Sequence, residues 1–334
     1  VTGAVQLQNF HQRWFTEVHA ENANKKEIIM ENYRLEGKTF VIDDYDRLPA
    51  FSSFLPGLAG VKGIPMWTFY TNRGQGMNSF GIDNKGNAIM EFNSANTAFE
   101  NTTVKGFRTF LKIDGEYYEP FFKYEKEAKR QIRMNKNSFK IIETNEKYGI
   151  EVTVNYFILP NESIGALVRQ VSVKNISDSA KDIEVIDGLP KIITYGISNG
   201  EFKEMSNLFK SWAYIKNIDN KVPYYTLRAS TKDSAEVSDV EGGYYYLTIK
   251  GGELQDVIYD VDTVFGYDLS LMTPVRFIEG GIDNVKAKEQ CFANKVPCGF
   301  TAFHETVAAN EAITFDTMMG FAGSEEQINS KVST

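Results

Sequence analysis

Of 334 residues only two are cysteine, Cys291 and Cys298, and only three are histidine, His11, His19 and His304. So few thiols in so long a chain exclude a disulfide-built scaffold. Reduced thiols are the expectation, with a Cys291–Cys298 bridge as the alternative. The histidines are scattered, so no Cys/His spacing fits a zinc site, and no histidine stands near either cysteine to act as its base. Surplus positive charge is also missing: 36 Lys and Arg face 44 Asp and Glu, a net charge of −8. That balance argues against nucleic acid or an anionic membrane as partner. The densest basic run, Lys123 to Arg133, is interrupted by Glu125 and Glu127 and reads as a solvated face. No apolar run is long enough to span a bilayer and no secretory leader is visible, so the expected location is the cytoplasm.

What the chain has is aromatic side chains, with 24 Phe, 17 Tyr and 3 Trp. They recur in short alternating segments between Gly, Asn and Asp turns, the pattern of antiparallel sheet. Ile150, Val152, Val154, Tyr156 and Ile158 alternate with Glu151, Thr153 and Asn155, so one face is buried and the other wet. Strands are also expected at 138–144, 165–175, 182–187, 222–229, 243–250, 257–259 and 275–279. Hairpins are expected at 27–43 about Glu36-Gly37-Lys38, and at 104–122 about Asp114-Gly115. The segments 300–307 and 312–320 read as a further hairpin about 308–311. Fifteen to twenty strands with hardly any helix imply an all-β protein, a large antiparallel sandwich. Val5 to Ala20 is the one clear amphipathic helix, with Leu7, Phe10, Trp14 and Val18 on one stripe. Ser324, with Gln327 three residues on, caps a helix that begins as the sequence stops, which reads as a domain cut from something longer.

The organising stretch runs from Phe54 to Phe92. Met66 to Asn72, Met77 to Asp83 and Asn87 to Phe92 read as strands, turning at Arg73-Gly74-Gln75-Gly76 and Asn84-Lys85-Gly86. Among Trp67, Tyr70, Phe80 and Phe92 stand Asn72, Arg73, Gln75, Asn78 and Asn93. Aromatic faces beside amide and guanidinium groups suit a sugar, which offers C–H faces and hydroxyls. The same residues suit a sandwich core with amides capping its turns, which is what aromatic-rich strands usually mean. The cluster Asp43, Asp44 and Asp46 invites a metal or acid–base reading, although Tyr45, Arg47 and Pro49 around it favour a polar turn. Asn175-Ile176-Ser177 matches a glycosylation sequon and reads as a turn.

FLPGLAGVKGIPMWTFYTNRGQGMNSFGIDNKGNAIMEFNSAN, preceded by YRLEGKTFVIDDYDRLPAFSS, resembles the N-terminal region of 1,2-β-oligoglucan phosphorylases. These belong to the cellobiose-phosphorylase group, glycoside hydrolase family 94. The resemblance continues through EVIDGLPKIITYGI, VPYYTLRAS and FHETVAANEAITFDTMMGFAGS. It implies a β-supersandwich of galactose-mutarotase-like type over residues 26–322. A helical segment (1–25) would precede it, and the start of a linker helix (323–334) would lead to an (α/α)6 barrel. The implied parent activity is inverting phosphorolysis of β-1,2-glucooligosaccharides to α-glucose 1-phosphate. Inorganic phosphate would be co-substrate, with no further cofactor and no metal. The acid that protonates the leaving oxygen would be a barrel Asp, so no catalytic residue is expected here, although Asp43, Asp187 and Glu305 invite the role. The sandwich would pack on the barrel, build a homodimer interface and lend a loop to the glucan cleft. That loop is placed at Tyr70, Asn72, Arg73, Gln75 and Asn78, with Arg73, Gln75 and Asn78 pointing outward. A stand-alone carbohydrate-binding module and a mutarotase-like enzyme are the alternatives.

Overall fold

The computed structural model describes residues 31–55, 58–59, 64–123, 125–231 and 235–332. The expected helix at Val5–Ala20 and the first part of the hairpin at 27–43 lie outside them. Twenty strands are formed among the described residues, nearly all in antiparallel pairs. The architecture is the expected all-β sandwich.

The larger layer is an eleven-stranded sheet. Its order is Tyr33–Glu36, Thr39–Asp43, Ala128–Met134, Ser138–Asn145, Ile150–Ile158, Gly165–Asn175, Ala312–Ala322, Gly243–Lys250, Tyr224–Leu227 and Ala213–Lys216, with Glu253–Leu254 paired beside Gly243–Lys250. The second layer is made by two smaller sheets. One runs Gly299–Val307, Lys181–Leu189, Arg108–Ile113, Glu116–Tyr118. The other runs Ser52–Phe54, Ile64–Thr71, Met77–Ile82, Ala88–Met90, with Leu58–Ala59 beside Ile64–Thr71.

Alternation puts the core between the layers. Along Ile150–Ile158 every odd position from Ile150 is buried and every second one is half-buried. From one layer Ile141, Val152, Val154, Tyr156, Val171 and Phe315 meet Ile183, Val185, Phe303, Phe80 and Met77 from the other. A second apolar cluster forms on the outer face of the four-stranded sheet. There Phe110, Ile186 and Phe300 are covered by Val264 and Phe265 of the short helix Asp262–Phe265 and by Phe277, Ile282 and Val285 of the helix Val275–Lys286.

Several local expectations are corrected. Val275–Glu279 is helical, not a strand. Its five residues V-R-F-I-E alternate like a strand, but Val275, Phe277, Ile282 and Val285 are the buried set of a helix that kinks at Gly280 and Gly281. The hairpin expected from Val104 begins as a helix, Ala95–Lys105, which buries only Ala98 and Thr102 and so carries no apolar stripe to announce it. Its strand starts at Arg108 and turns at Asp114-Gly115 as expected. A third helix, Asn199–Phe209, opens on a capping box between Ser198 and Glu201. Residues 257–259 contribute only a bridge from Ile258 to Phe300. The basic run is not wholly solvated: Arg130 is buried, its guanidinium paired with Glu143 at 2.6 Å and Asp46 at 2.7 Å.

The largest correction concerns the last two strands. Gly299–Val307 and Ala312–Ala322 do not pair with each other. The first pairs with Lys181–Leu189 in the four-stranded sheet and the second with Gly165–Asn175 in the eleven-stranded one. The four residues between them carry the chain across the sandwich, so the Phe303 and Phe315 rings meet at a tilt with centroids 4.7 Å apart.

Candidate functional site

The turn expected to touch substrate lies between Ile64–Thr71 and Met77–Ile82. It is closed by Thr71 N–H donating to the Gly76 carbonyl at 2.8 Å and Gly76 N–H to the Arg73 carbonyl at 2.9 Å. Gly76 has φ +82°, and a Cβ there would run into the Phe139 ring, so only glycine suits.

Its side chains mostly turn inward. Tyr70 is buried and stacks on Phe139 at 4.2 Å. Asn72 is fully buried: its amide donates to the carbonyls of Tyr45 (2.9 Å) and Pro49 (3.0 Å) and its oxygen accepts from Phe51 N–H (2.9 Å). It fastens the neighbouring loop as a turn cap does. Arg73 is half-buried and donates to the carbonyls of Asn72 (2.7 Å) and Leu48 (3.1 Å). Gln75 does not point outward, contrary to expectation. It is buried, donates to Thr109 Oγ1 at 2.8 Å and accepts from the Arg169 guanidinium. The physical reason is Arg169, a buried cation on the facing sheet whose donors need acceptors.

That arginine anchors a network joining all three sheets. Arg169 pairs with Asp187, Asp187 accepts from Thr109 Oγ1 at 2.6 Å, and Arg169 Nε donates to the Tyr156 hydroxyl at 3.2 Å. Arg169 and Asp187 are both fully buried. Burial pushes the Tyr156 phenol up to about 12 even though Arg169 pulls it down. Asp187 is thus held inside the core. Asp43 is held by Arg34 and by Gln131 at 2.6 Å, and Glu305 by Lys250 at 2.5 Å. The acidic cluster 43–46 is a polar turn about the short 3-10 helix Tyr45–Arg47. Among the described residues no His, Cys, Asp and Glu cluster has the shape of a metal site. Both cysteines are free, Cys298 buried and Cys291 exposed. Asn175 is buried, with its amide donating to the carbonyls of Ser179 and Val307, so the sequon is a turn. His304 meets Asp182 at 3.0 Å on an open strand pair.

A cleft of about 420 Å³ opens elsewhere, and no sequence spacing announced it. Phe202, Phe265, Val261 and Leu271 form its apolar wall, and Lys105, Lys191, Lys210 and Lys295 reach it from four separate segments. Lys105 ends the helix Ala95–Lys105 and Lys210 follows the helix Asn199–Phe209, positions where an ammonium also faces the helix C-terminal dipole. Lys295 is neutralised by Asp260 at 3.1 Å and Asp262 at 2.6 Å. Lys191 is half-buried, lies 4.5 Å over the Phe202 ring and pairs with Glu91 at 3.3 Å. A narrower recess shares Lys105 and Lys191 in its wall and contains Asn78. Of the five expected substrate residues, only Asn78 borders this cleft system. No side-chain pattern could have found it, because the topology alone gathers residues 105, 191, 210 and 295.

No family model matches the chain, and no curated protein matches it. Similar solved structures include a polysaccharide lyase, with TM-score 0.45 and 8% identity over 80% of this chain and 34% of that one. A bacterial glucoamylase in complex with acarbose gives TM-score 0.39 and 10% identity over 85% of this chain and 37% of that one. A protein assigned as a kojibiose phosphorylase, from the human microbiome, gives TM-score 0.39 and 10% identity over 90% of this chain and 35% of that one. The chain thus spans about a third of the length of each. Among the described residues, no helix is long and apolar enough to cross a membrane.

Proposed function

We propose that the chain is the sandwich domain of a carbohydrate-active enzyme, a glycoside phosphorylase of family 94 acting on β-1,2-glucooligosaccharides with inorganic phosphate. The observation that carries this reading is the sequence resemblance, which runs in separated blocks from Tyr33 to Ser324 and implies the two-layered β architecture that the described residues adopt. The internal partners of Asp43, Asp187 and Glu305 agree with a division of labour in which the general acid comes from a neighbouring barrel. In inverting phosphorolysis one acid protonates the leaving oxygen while phosphate attacks the anomeric carbon from the opposite face, giving α-glucose 1-phosphate. In this reading the sandwich, residues 26–322, supports the barrel and a homodimer in the cytoplasm. The turn at Tyr70–Asn78 keeps its shape through Tyr70, Asn72 and Gln75, and offers Arg73 and Asn78 to the glucan.

The test is phosphorolysis of sophoro-oligosaccharides by the protein joined to its barrel. Release of glucose 1-phosphate is expected, with Arg73→Ala and Asn78→Ala raising KM severalfold while kcat holds. Unchanged kinetics in both variants would remove the loop from the substrate cleft, and no release from any β-1,2-glucan would remove the activity.

One observation favours the carbohydrate-binding module. The outer face of the eleven-stranded sheet carries a groove of about 440 Å³ lined by Lys140, Asn155, Gln170, Ser172, Thr314 and Asp316, hydroxyls and amides suited to sugar hydroxyls. Calorimetry of this chain with sophoro-oligosaccharides separates the two, since saturable binding without a barrel belongs to the module.

A further inference from the structure

We infer that the lysine-lined cleft binds a phosphorylated sugar, with Lys105, Lys191 and Lys210 receiving the phosphate and the Phe202–Phe265 wall receiving the sugar.

Asp262 is held by Lys295 at 2.6 Å and Asp260 by the same ammonium at 3.1 Å. Asp268 accepts the backbone N–H groups of Ser270 (2.9 Å) and Thr273 (2.7 Å) and the Ser270 hydroxyl. Hydrogen bonds leave Asp268 its charge, and Asp260 and Asp262 share Lys295, with Lys288 at 3.8 Å from Asp262. The charges that act on Lys191 are Lys105, Lys210 and Glu91. Among the described residues neither Lys105 nor Lys210 has a carboxylate within ion-pair distance, while Lys191 has Glu91 at 3.3 Å. Over the whole cleft five ammoniums face four carboxylates. The positive charge gathers around Lys191, where three ammoniums meet one carboxylate and a phosphate monoester at about −1.5 to −2 would be offset.

The position of Lys191 adds to this. Burial holds its ammonium below the usual lysine range, Glu91 opposes that effect, and Lys105 and Lys210 are near enough to add to it. Like charges gathered around a half-buried ammonium cost free energy when the site is empty, and a bound dianion reverses the sign of that cost.

Size and surface then select the ligand. A free phosphate would fill only a small part of about 420 Å³ and would leave Phe202, Phe265, Val261 and Leu271 facing water. A sugar presents C–H faces to such a wall and hydroxyls to Asn294 and Ser270 on the rim. This inference stands on the cleft alone and does not require the phosphorylase reading.

The test is calorimetric titration of the 334-residue chain with glucose 1-phosphate, glucose and inorganic phosphate at low and high salt. Saturable binding of glucose 1-phosphate is expected, weakened by salt, at least tenfold tighter than inorganic phosphate and absent with glucose. Lys105→Ala/Lys210→Ala should weaken it at least tenfold. Both side chains are exposed, so the variant is expected to keep the wild-type circular dichroism and melting point. Lys191→Met, which retains the packing on Phe202, should have the same effect through the buried charge. No saturable binding, or unaltered binding in the double variant, would overturn the site. Equal affinity for inorganic phosphate would overturn the sugar. The titration reads binding and not turnover, so its failure leaves the phosphorolysis test untouched.

Discussion

Arg169 shows how one residue can decide where its neighbours go. A guanidinium buried between sheets must have its donors met, and Asp187, Gln75 and the Tyr156 hydroxyl meet them. Removing one member of such a pair leaves an uncompensated buried charge, whereas replacing both with apolar groups does not. Asp187→Ala should therefore cost about 3–5 kcal/mol in urea denaturation, and Arg169→Met/Asp187→Leu should be less destabilised than the single variant. A double variant as unstable as the single one would show that the charges themselves are needed. The same residue explains why the candidate loop was only half legible. Amides next to aromatics do mark a polar feature, but nothing local to Gln75 tells that its acceptor is claimed by an arginine 94 positions away. At the surface, His304 gives a separate prediction. Its hydrogen bond to Asp182 raises its pKa above the ordinary 6.5. The bond's contribution to stability is present below pH 6.5 and fades as pH rises through the raised value. Both partners are about half exposed, so solvent screens the effect and the shift itself is the better readout. NMR titration should find His304 above 6.5, and Asp182→Asn should bring it back towards that value.

Among the elements, strands were legible and most helices were not. The exception is Glu325–Val332, which Ser324 caps as expected by accepting from Gln327 N–H at 3.1 Å. Ile150–Ile158 appears with the bounds its alternation gives, because a strand with one buried face writes its period directly into the sequence. Gly165–Asn175 and Gly243–Lys250, buried on both faces over part of their length, are marked by apolar and aromatic runs between turns. Helices here are surface covers. Ala95–Lys105 buries two small side chains, and Val275–Lys286 is broken at Gly280 and Gly281 into pieces too short to show a full helical period. Gly281 has φ +65°, and the turn restarts with Ile282 N–H donating to Glu184 Oε2 at 2.6 Å. A carboxylate on the four-stranded sheet thus caps the second half of the helix, as an N-cap side chain would. Glu184→Ala should cost about 1–2 kcal/mol, with Glu184→Gln losing less because the amide oxygen still accepts. Chemical denaturation of the pair measures it, and equal losses would show that the capping bond contributes nothing. Pairing of strands was the least legible property. A chain that turns back within its sheet and a chain that crosses to the facing sheet bury the same alternate residues, so Phe303 and Phe315 fit both. Only the distant partners Lys181–Leu189 and Gly165–Asn175 decide between them.

Across the whole molecule, that crossing and the Arg169 network have one consequence. Phe303 and Phe315 join the four- and eleven-stranded sheets, and Asp187 and Arg169 of those two sheets share one buried contact with Gln75 in a turn of the third. No sheet can separate without exposing part of that core and stranding a charge, so the layers should open together despite a length at which partial unfolding is common. Two indoles make this measurable. Trp67 belongs to the sheet of Ile64–Thr71, and Trp212 packs on Phe209 beside the far edge strand Ala213–Lys216 of the eleven-stranded sheet. Fluorescence of single-tryptophan variants that keep Trp67 or Trp212 should lose signal at the same urea concentration as the far-UV circular dichroism. Asp187→Ala should move all three midpoints down together. If the Trp67 transition came first and left the circular dichroism in place, the smaller sheet would be a unit of its own. The buried network would then fasten a docked layer rather than hold the sandwich together.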